Sequence, residues 1–270
     1  MAVHSLHGGG PVQLNQGARR PNGLPLKWEE LTSPTLGRLL NSEAFTVGLL
    51  PVGATEQHGP HLPAGTDTII AQALCDTLST HGGCISMPAL PIGASWWHGK
   101  SLAGTIGTSG EEVSRLAVTV ARGAADSGLR RLLFVNGHVG NVAALSMACD
   151  RLRVELPDML VGVLSWWEVD AQVTEEVCSD ALDWHANRAE TSLMLALRPE
   201  LVDIAAAKGA DDPDRTAGMI FRYRCSQVST NGVTGKPSEA DAEMGQRLWN
   251  NITAAGAEIV ARANKEKPPL

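Results

Sequence analysis

Short runs of β-branched and leucine residues alternate along this chain with longer stretches whose apolar positions recur every three to four residues. The runs Phe45–Val52, Cys84–Met87, Arg131–Val135 and Met159–Leu164 predict strands, because each is largely apolar over a strand's length. Helical spacing predicts helices over Thr68–Thr80, Glu111–Asp126, Val142–Glu155, Ala186–Leu197 and Glu239–Ala263. Thr108 and Ser109, followed by Glu111 and Glu112, form overlapping capping boxes at the start of the second helix. Strands without polar alternation belong to a sheet buried on both faces. The expected fold is therefore α/β, with three layers: a mainly parallel central sheet and helices on both faces. Residues 1–25 are rich in Gly, Pro, Asn and Arg and show no apolar period, so they read as a flexible arm; residues 26–270 read as one domain.

Composition narrows the function classes. Of the 270 residues 43% are hydrophobic, enough for a sizeable core, and the formal net charge is −7. That balance argues against nucleic acid or an anionic membrane as the partner, since either selects a basic surface. No apolar run reaches the ~18–20 residues that span a bilayer, and the N-terminus lacks the charged-then-apolar order of a signal peptide. Cys75, Cys84, Cys149, Cys178 and Cys225 are odd in number, scattered and free of any CxxC pair. Such usage fits a reducing compartment, and the cytoplasm is the expected location. There is no GxGxxG or GxxxxGK[ST] pattern, and His7-Gly8-Gly9-Gly10 lacks the GxSxG elbow that a lipase-type oxyanion loop would need.

In a parallel α/β sheet the chemistry gathers beyond the carboxyl ends of the strands. After the first strand, the Gly- and Pro-rich loop from Gly53 to Asp67 carries Glu56, His58, His61 and Asp67. After the third strand, Asn136-Gly137-His138-Val139-Gly140-Asn141 presents one more histidine. Further on, His185 is followed by Glu190 at the start of a helix. Taken singly, a histidine in such a loop is usually a hydrogen-bonding residue, and Asp67 could serve only as a helix cap. As a set at successive strand ends, imidazoles and carboxylates are the donors that hold borderline divalent metals. Trp96-Trp97-His98 and Trp166-Trp167 also follow strand ends, and tandem indoles could wall a planar ligand. Consecutive side chains point apart, however, so both members of a pair cannot face one ligand.

The stretch from Leu50 to Gly53, continued by Glu56-Gln57-His58-Gly59-Pro60-His61-Leu62-Pro63 and Thr66-Asp67, closely resembles the signature of the creatininase family. Asn136-Gly137-His138 with Gly140-Asn141, His185-Ala186 with Glu190-Thr191-Ser192, and Gly232-Val233, Gly235, Pro237 and Gly245 resemble its later blocks. The similarity spans about residues 45–250. It implies a creatininase-like fold and a site for two divalent ions, Zn2+, Mn2+ or Fe2+. Glu56, His58 and His138 would be terminal ligands and Asp67 the bridge. Creatininase itself carries a Glu where this chain has Gly140, which leaves Glu190 as the residue expected to reach the second ion.

The resemblance also implies a metal-dependent amidohydrolase, in which a metal-bound hydroxide cleaves a non-peptide amide or cyclic-amide C–N bond of a small molecule. His185 would protonate the leaving nitrogen. Apart from the resemblance, the residues themselves make Trp97, His98, Trp166 and Trp167 the candidates for binding the substrate. Formylamino-pyrimidine deformylation, peptidase activity and a non-catalytic binding or assembly role are the alternatives. Family members form ring-like hexamers, so a homo-oligomer is expected here too. Where family members commonly carry an acid before the histidine of the first tryptophan motif, this chain has Trp97.

Overall fold

The first strand, β1 (Val47–Val52), is buried at every position, as a continuous apolar run in a doubly covered sheet should be. It lies inside a sheet that continues with β2 (Cys84–Ser86), β3 (Arg131–Asn136) and β4 (Leu160–Ser165). This computed structural model describes residues 23–42, 47–99 and 102–270. Most of the expected arm, Phe45 at the start of the first expected strand, and His7 to Gly10 lie outside the described residues. The strands run in the order β2-β1-β3-β4 and every pair is parallel. Val52 pairs with Asn136, and Asn136 with Ser165, so β1, β3 and β4 end at one level. That common edge carries the site.

The helices are α1 (Ser33–Leu40), α2 (Thr66–Ser79), α3 (Gly110–Asp126), α4 (Val142–Glu155), α5 (Ala171–Val177), α6 (Arg188–Leu197), the single turns α7 (Ile204–Ala207) and α8 (Cys225–Val228), and α9 (Ala242–Lys265). Alternate residues of β1 divide between two apolar cores. Val47 and Leu49 pack with Ile70 and Leu74 of α2, Leu193 of α6, and Leu248 and Ile252 of α9. Leu50 and Val52 pack on the other face with Val113 and Ala117 of α3 and Leu145 and Leu152 of α4. The three-layer α/β expectation holds.

Element ends move for local reasons. Helix α3 begins with a capping box in which the Ser109 hydroxyl accepts from the Glu112 N–H, as the sequence suggests. Helix α6 starts at Arg188 rather than Ala186, because the Asn187 side chain accepts the Glu190 N–H at 3.1 Å and Ala186 sits at φ 49°. Helix α9 starts at Ala242, not Glu239, because Asp241 caps the Met244 N–H at 2.7 Å while Pro237–Glu239 make a separate turn.

Helices α6 and α9 touch at backbone distance where they cross. A Cβ on Gly245 of α9 would lie 1.8 Å from the Ser192 carbonyl oxygen of α6. Gly123, on the exposed face of α3, has nothing within 4 Å of its Cβ position. Gly245→Ala should therefore cost about 1–3 kcal/mol by overpacking, whereas Gly123→Ala should stabilise by about 0.5–1 kcal/mol through helix propensity. Urea unfolding of the two variants beside wild type checks both signs.

Candidate metal centre

The loop after β1 and the first turn of α2 bring most of the polar groups to the sheet edge. Glu56, His58 and His61 lie on that loop, and Asp67 is the second residue of α2. Helix α2 reaches in because Gly137, just past β3, has no side chain: a Cβ there would be 2.2 Å from the Asp67 carbonyl oxygen. His138 follows it, with its N–H held by Asn136 Oδ1 at 3.0 Å. Asn141 then ties the edge together, accepting the Ala94 N–H at 2.9 Å and donating to the Gly53 carbonyl at 3.0 Å. His185 arrives on a short antiparallel bridge to Thr234, and Glu190 on the first turn of α6.

The expected ligands do converge. His58 Nε2 lies 3.1 Å from Asp67 Oδ1 and 3.5 Å from Glu190 Oε1. His138 Nε2 is 3.4 Å from Glu56 Oε2, and its Nδ1 is 3.4 Å from Asp67 Oδ2. His185 Nδ1 stands 3.6 Å, and His98 Nε2 3.8 Å, from Glu56 Oε1. Three groups of side chains could each hold a metal ion: Glu56–Asp67–His138, His58–Asp67–Glu190 and Glu56–His58–His185. The first two share Asp67.

Burial makes the arrangement demanding. Glu56, Asp67 and Glu190 are 0%, 2% and 1% exposed, and their only ion-pair partners among the described residues are histidines. Both Glu56 oxygens, Asp67 Oδ2 and His58 Nε2 make no hydrogen bond. Taking a carboxylate out of water costs several kcal/mol, which neutral imidazoles alone do not offset. The stress shows in the proton affinities. Burial pushes the Glu56 carboxyl up to about 7, against the pull of His138. Burial depresses His58, but the Asp67 and Glu190 carboxylates outweigh it and hold the imidazole well above its ordinary range. Burial, reinforced by His138 and His58, lowers His98 to about 3. The same causes, burial first and then His58 and His98, keep His185 well below its ordinary value. Carboxylates and imidazoles with unsatisfied donor atoms form a set that fits divalent cations.

The tryptophans separate. Trp97 is exposed, and its ring stacks on His138 with centroids 6.0 Å apart. A Cβ on Gly140 would meet Trp97 at 2.5 Å and His138 Nε2 at 2.4 Å, so the indole occupies the space that a side chain at position 140 would need. Trp166 and Trp167, in contrast, are buried and pack on each other and on Trp184, within the core beneath α5 and α6. Their surroundings support packing rather than an open ligand wall. Consecutive positions in the sequence could not reveal which pair would face outward.

Sequence reading also passed over the groups that orient the histidines. His61 Nε2 is 2.8 Å from the Thr191 hydroxyl, which donates to the Asn187 carbonyl, so the ring ties the β1 loop to α6. His185 Nε2 is 2.8 Å from the Gln57 carbonyl oxygen. A carbonyl only accepts, so Nε2 carries the proton and Nδ1 turns its lone pair towards Glu56. The strand residue Thr234 that pairs with His185 belongs to a loop fastened by Asp212, whose carboxylate accepts from Ser229, the Thr230 N–H and the Thr230 hydroxyl and pairs with Arg215 at 2.6 Å.

A layered parallel sheet with a buried carboxylate–imidazole cluster at its carboxyl edge defines an α/β protein with a candidate divalent-metal site. A family profile described as creatinine amidohydrolase matches residues 29–260, and the chain belongs to the creatininase family. It is 36% identical, over 247 residues, to the mycofactocin precursor peptide peptidase of Mycobacterium ulcerans (strain Agy99), covering 85% of this chain and 92% of that one. It is 34% identical over 238 residues to the creatinine amidohydrolase of Pseudomonas putida, covering 82% and 90%. A crystal structure of creatinine amidohydrolase superposes with a TM-score of 0.77 at 26% identity, over 90% of this chain and 99% of that chain. Solved creatininases include a zinc–zinc form of a mutant and a manganese form.

Asp212 generates a test of the loop that holds His185. Burial would raise its carboxyl, but Arg215 and the Thr230 and Ser229 donors outweigh burial and hold it at about 2. Its stabilisation is thus complete above the ordinary aspartate value and is lost as pH falls towards 2. Asp212→Asn should lower stability by about 2 kcal/mol at neutral pH. The difference from wild type in denaturant midpoint should shrink below about pH 4.

Proposed function

We propose that the chain hydrolyses an amide bond at a two-metal centre built on Asp67. The observation that carries this reading is the pair of donor groups that share Asp67, Glu56–Asp67–His138 and His58–Asp67–Glu190. In this reading Glu56 and His138 would hold one ion and His58 and Glu190 the other, with Asp67 common to both groups. Glu190 supplies the carboxylate that position 140 cannot. Divalent ions bound there supply Lewis acidity, which acidifies water and polarises a carbonyl.

The protein's own groups do the rest. His185 Nδ1 faces Glu56 and is free to accept the proton released as water attacks, then to pass it to the leaving nitrogen. The hydrogen bond from its Nε2 to the Gln57 carbonyl keeps the ring aimed while the proton moves. The sequence motifs suggested a donor; the tautomer makes His185 an acceptor first and a donor second. Trp97, stacked on His138 and open on its other face, is the wall against which a substrate would rest.

The substrate class we favour is a peptide or peptide-like amide rather than the small non-peptide amide expected from the motifs. Relatives named as precursor peptide peptidases share 33–37% identity with the chain. The rim formed by Trp96 and by Trp97, which stacks on His138, is also apolar and exposed. An extended chain could use such a rim. A small cyclic amide is the second reading, supported by the identity with a creatinine amidohydrolase.

Elemental analysis of protein purified without chelator tests the centre. Wild type should carry about two divalent ions per chain, and Glu190→Ala should retain one. His138→Ala should lose metal, and His185→Ala should keep its metal while losing turnover. A wild-type chain that neither contains nor takes up metal would sink the hydrolase reading. Release of fragments from synthetic peptides, compared with ring opening of creatinine, then distinguishes the two substrate classes.

A further inference from the structure

Between the β1 loop and the 229–235 loop the Gln57 side chain is buried, 4% exposed, and surrounded by more acceptors than it can serve. Its Oε1 accepts the Gly59 N–H at 3.0 Å. Its Nε2 lies 3.0 Å from the Gly232 carbonyl oxygen, 3.1 Å from His98 Nδ1 and 3.1 Å from His185 Nε2. Cys225 Sγ is 3.5 Å away. The two backbone partners cannot exchange roles: an amide N–H only donates and a carbonyl only accepts. They therefore fix which end of the Gln57 amide is oxygen and which is nitrogen. Gly232 makes room for this arrangement, since a Cβ there would fall 1.9 Å from Gln57 Oε1.

The hydrogens can then be counted. The amide nitrogen has two to give. One goes to Gly232. The other goes to His98 Nδ1 or His185 Nε2, both at 3.1 Å, ahead of Cys225 Sγ at 3.5 Å, because sulfur is the weaker acceptor. His185 Nε2 must carry its own proton, because it lies 2.8 Å from the Gln57 carbonyl oxygen, where two lone pairs would repel. So the second amide hydrogen goes to His98, whose Nδ1 accepts. Its proton then sits on Nε2, the nitrogen that faces Glu56 Oε1 at 3.8 Å.

We propose that Gln57 is a positioning residue that sets opposite polarity on the two histidines flanking Glu56, presenting an N–H from His98 and a lone pair from His185 to the same side of the site. One residue thereby prepares, through its side-chain amide, a hydrogen-bond donor on His98 for a developing negative charge and, through its main-chain carbonyl, an acceptor on His185 for a migrating proton. Neither ring has to reorient or change tautomer when substrate arrives. This use of the pair rests on the hydrolase reading, but the tautomers themselves do not, and they are measurable without turnover.

The test is ¹⁵N NMR of the zinc-loaded full chain with labelled histidine, using long-range nitrogen–proton correlations to locate each ring proton. In wild type, His98 and His185 should both be neutral and protonated on Nε2. Gln57→Glu keeps the shape but turns the donor into an acceptor, so His98 should gain a proton on Nδ1. Bound zinc should be unchanged, and kcat should fall on the order of 10²-fold with KM little altered. Gln57→Met, which has neither polar group, should give His98 as a mixture of tautomers. A wild-type His98 protonated on Nδ1 would overturn the proposal, as would a His98 tautomer indifferent to Gln57→Glu and Gln57→Met. Correct tautomers in a chain that turns over no amide would keep the assignment and refute only the hydrolase reading.

Discussion

The controlling constraint is the burial of three carboxylates in one place. Glu56, Asp67 and Glu190 have no arginine or lysine beside them among the described residues, only imidazoles. Such a cluster is expensive in an apolar interior unless cations share it. The fold supplies the rigidity that keeps it assembled. β1 and β3 end in register at one edge, the start of α2 approaches that edge closely because of Gly137, and α6 is tied to the β1 loop through His61 and Thr191. Each carboxylate thus arrives on a different element, and the packing of α2 and α6 around the sheet decides their separation. Stability and function are in tension here, because the groups that fit a metal are the ones that resist folding without it.

Around that cluster the polar side chains form a graded support. Asn141 joins three loops at the edge of the sheet, Asp212 fastens the 229–235 loop, and that loop carries both the Thr234 bridge to His185 and the Gly232 carbonyl that fixes Gln57. The order of dependence runs from the buried Asp212, through backbone hydrogen bonds, to the orientation of imidazole rings. Such partners set ring orientation and tautomer, and with them the chemistry available to the ring. The Trp97–Gly140 pair acts differently: an indole fills the volume that a carboxylate side chain at position 140 would require, and it leaves an apolar face towards solvent. In the two-metal reading Glu190 would then supply the second carboxylate, and the exposed Trp96 and Trp97 make that side of the site aromatic.

Much of the fold was legible along the chain. Continuous apolar runs identified the four strands found among the described residues, since a doubly covered strand has no polar face to interrupt it. Helical periodicity found the five long helices, whose ends then shifted by a few residues where a cap such as Asn187 or Asp241 overrode the pattern. Helices α1 and α5 and the single turns α7 and α8 escaped notice: short segments bury too few positions for a period to stand out. The residues with metal-binding chemistry were legible as well, because imidazoles and carboxylates in glycine-rich loops at strand ends leave a mark in sequence.

What the sequence could not contain was the neighbour of each neighbour. Gln57 and Asn141 lay in the motifs and carried no visible role, since an amide's function depends on which donors and acceptors surround it, and most of those come from residues 41 to 175 positions away. Trp97 and Trp167 were equivalent as letters, yet one stacks openly on His138 and the other is sealed against Trp184. Local sequence determined the donor types and the elements that carry them, because propensity and patterning act over a few residues. Only the tertiary structure decided which nitrogen of each histidine faces the metal centre, because that depends on hydrogen bonds closed between distant loops.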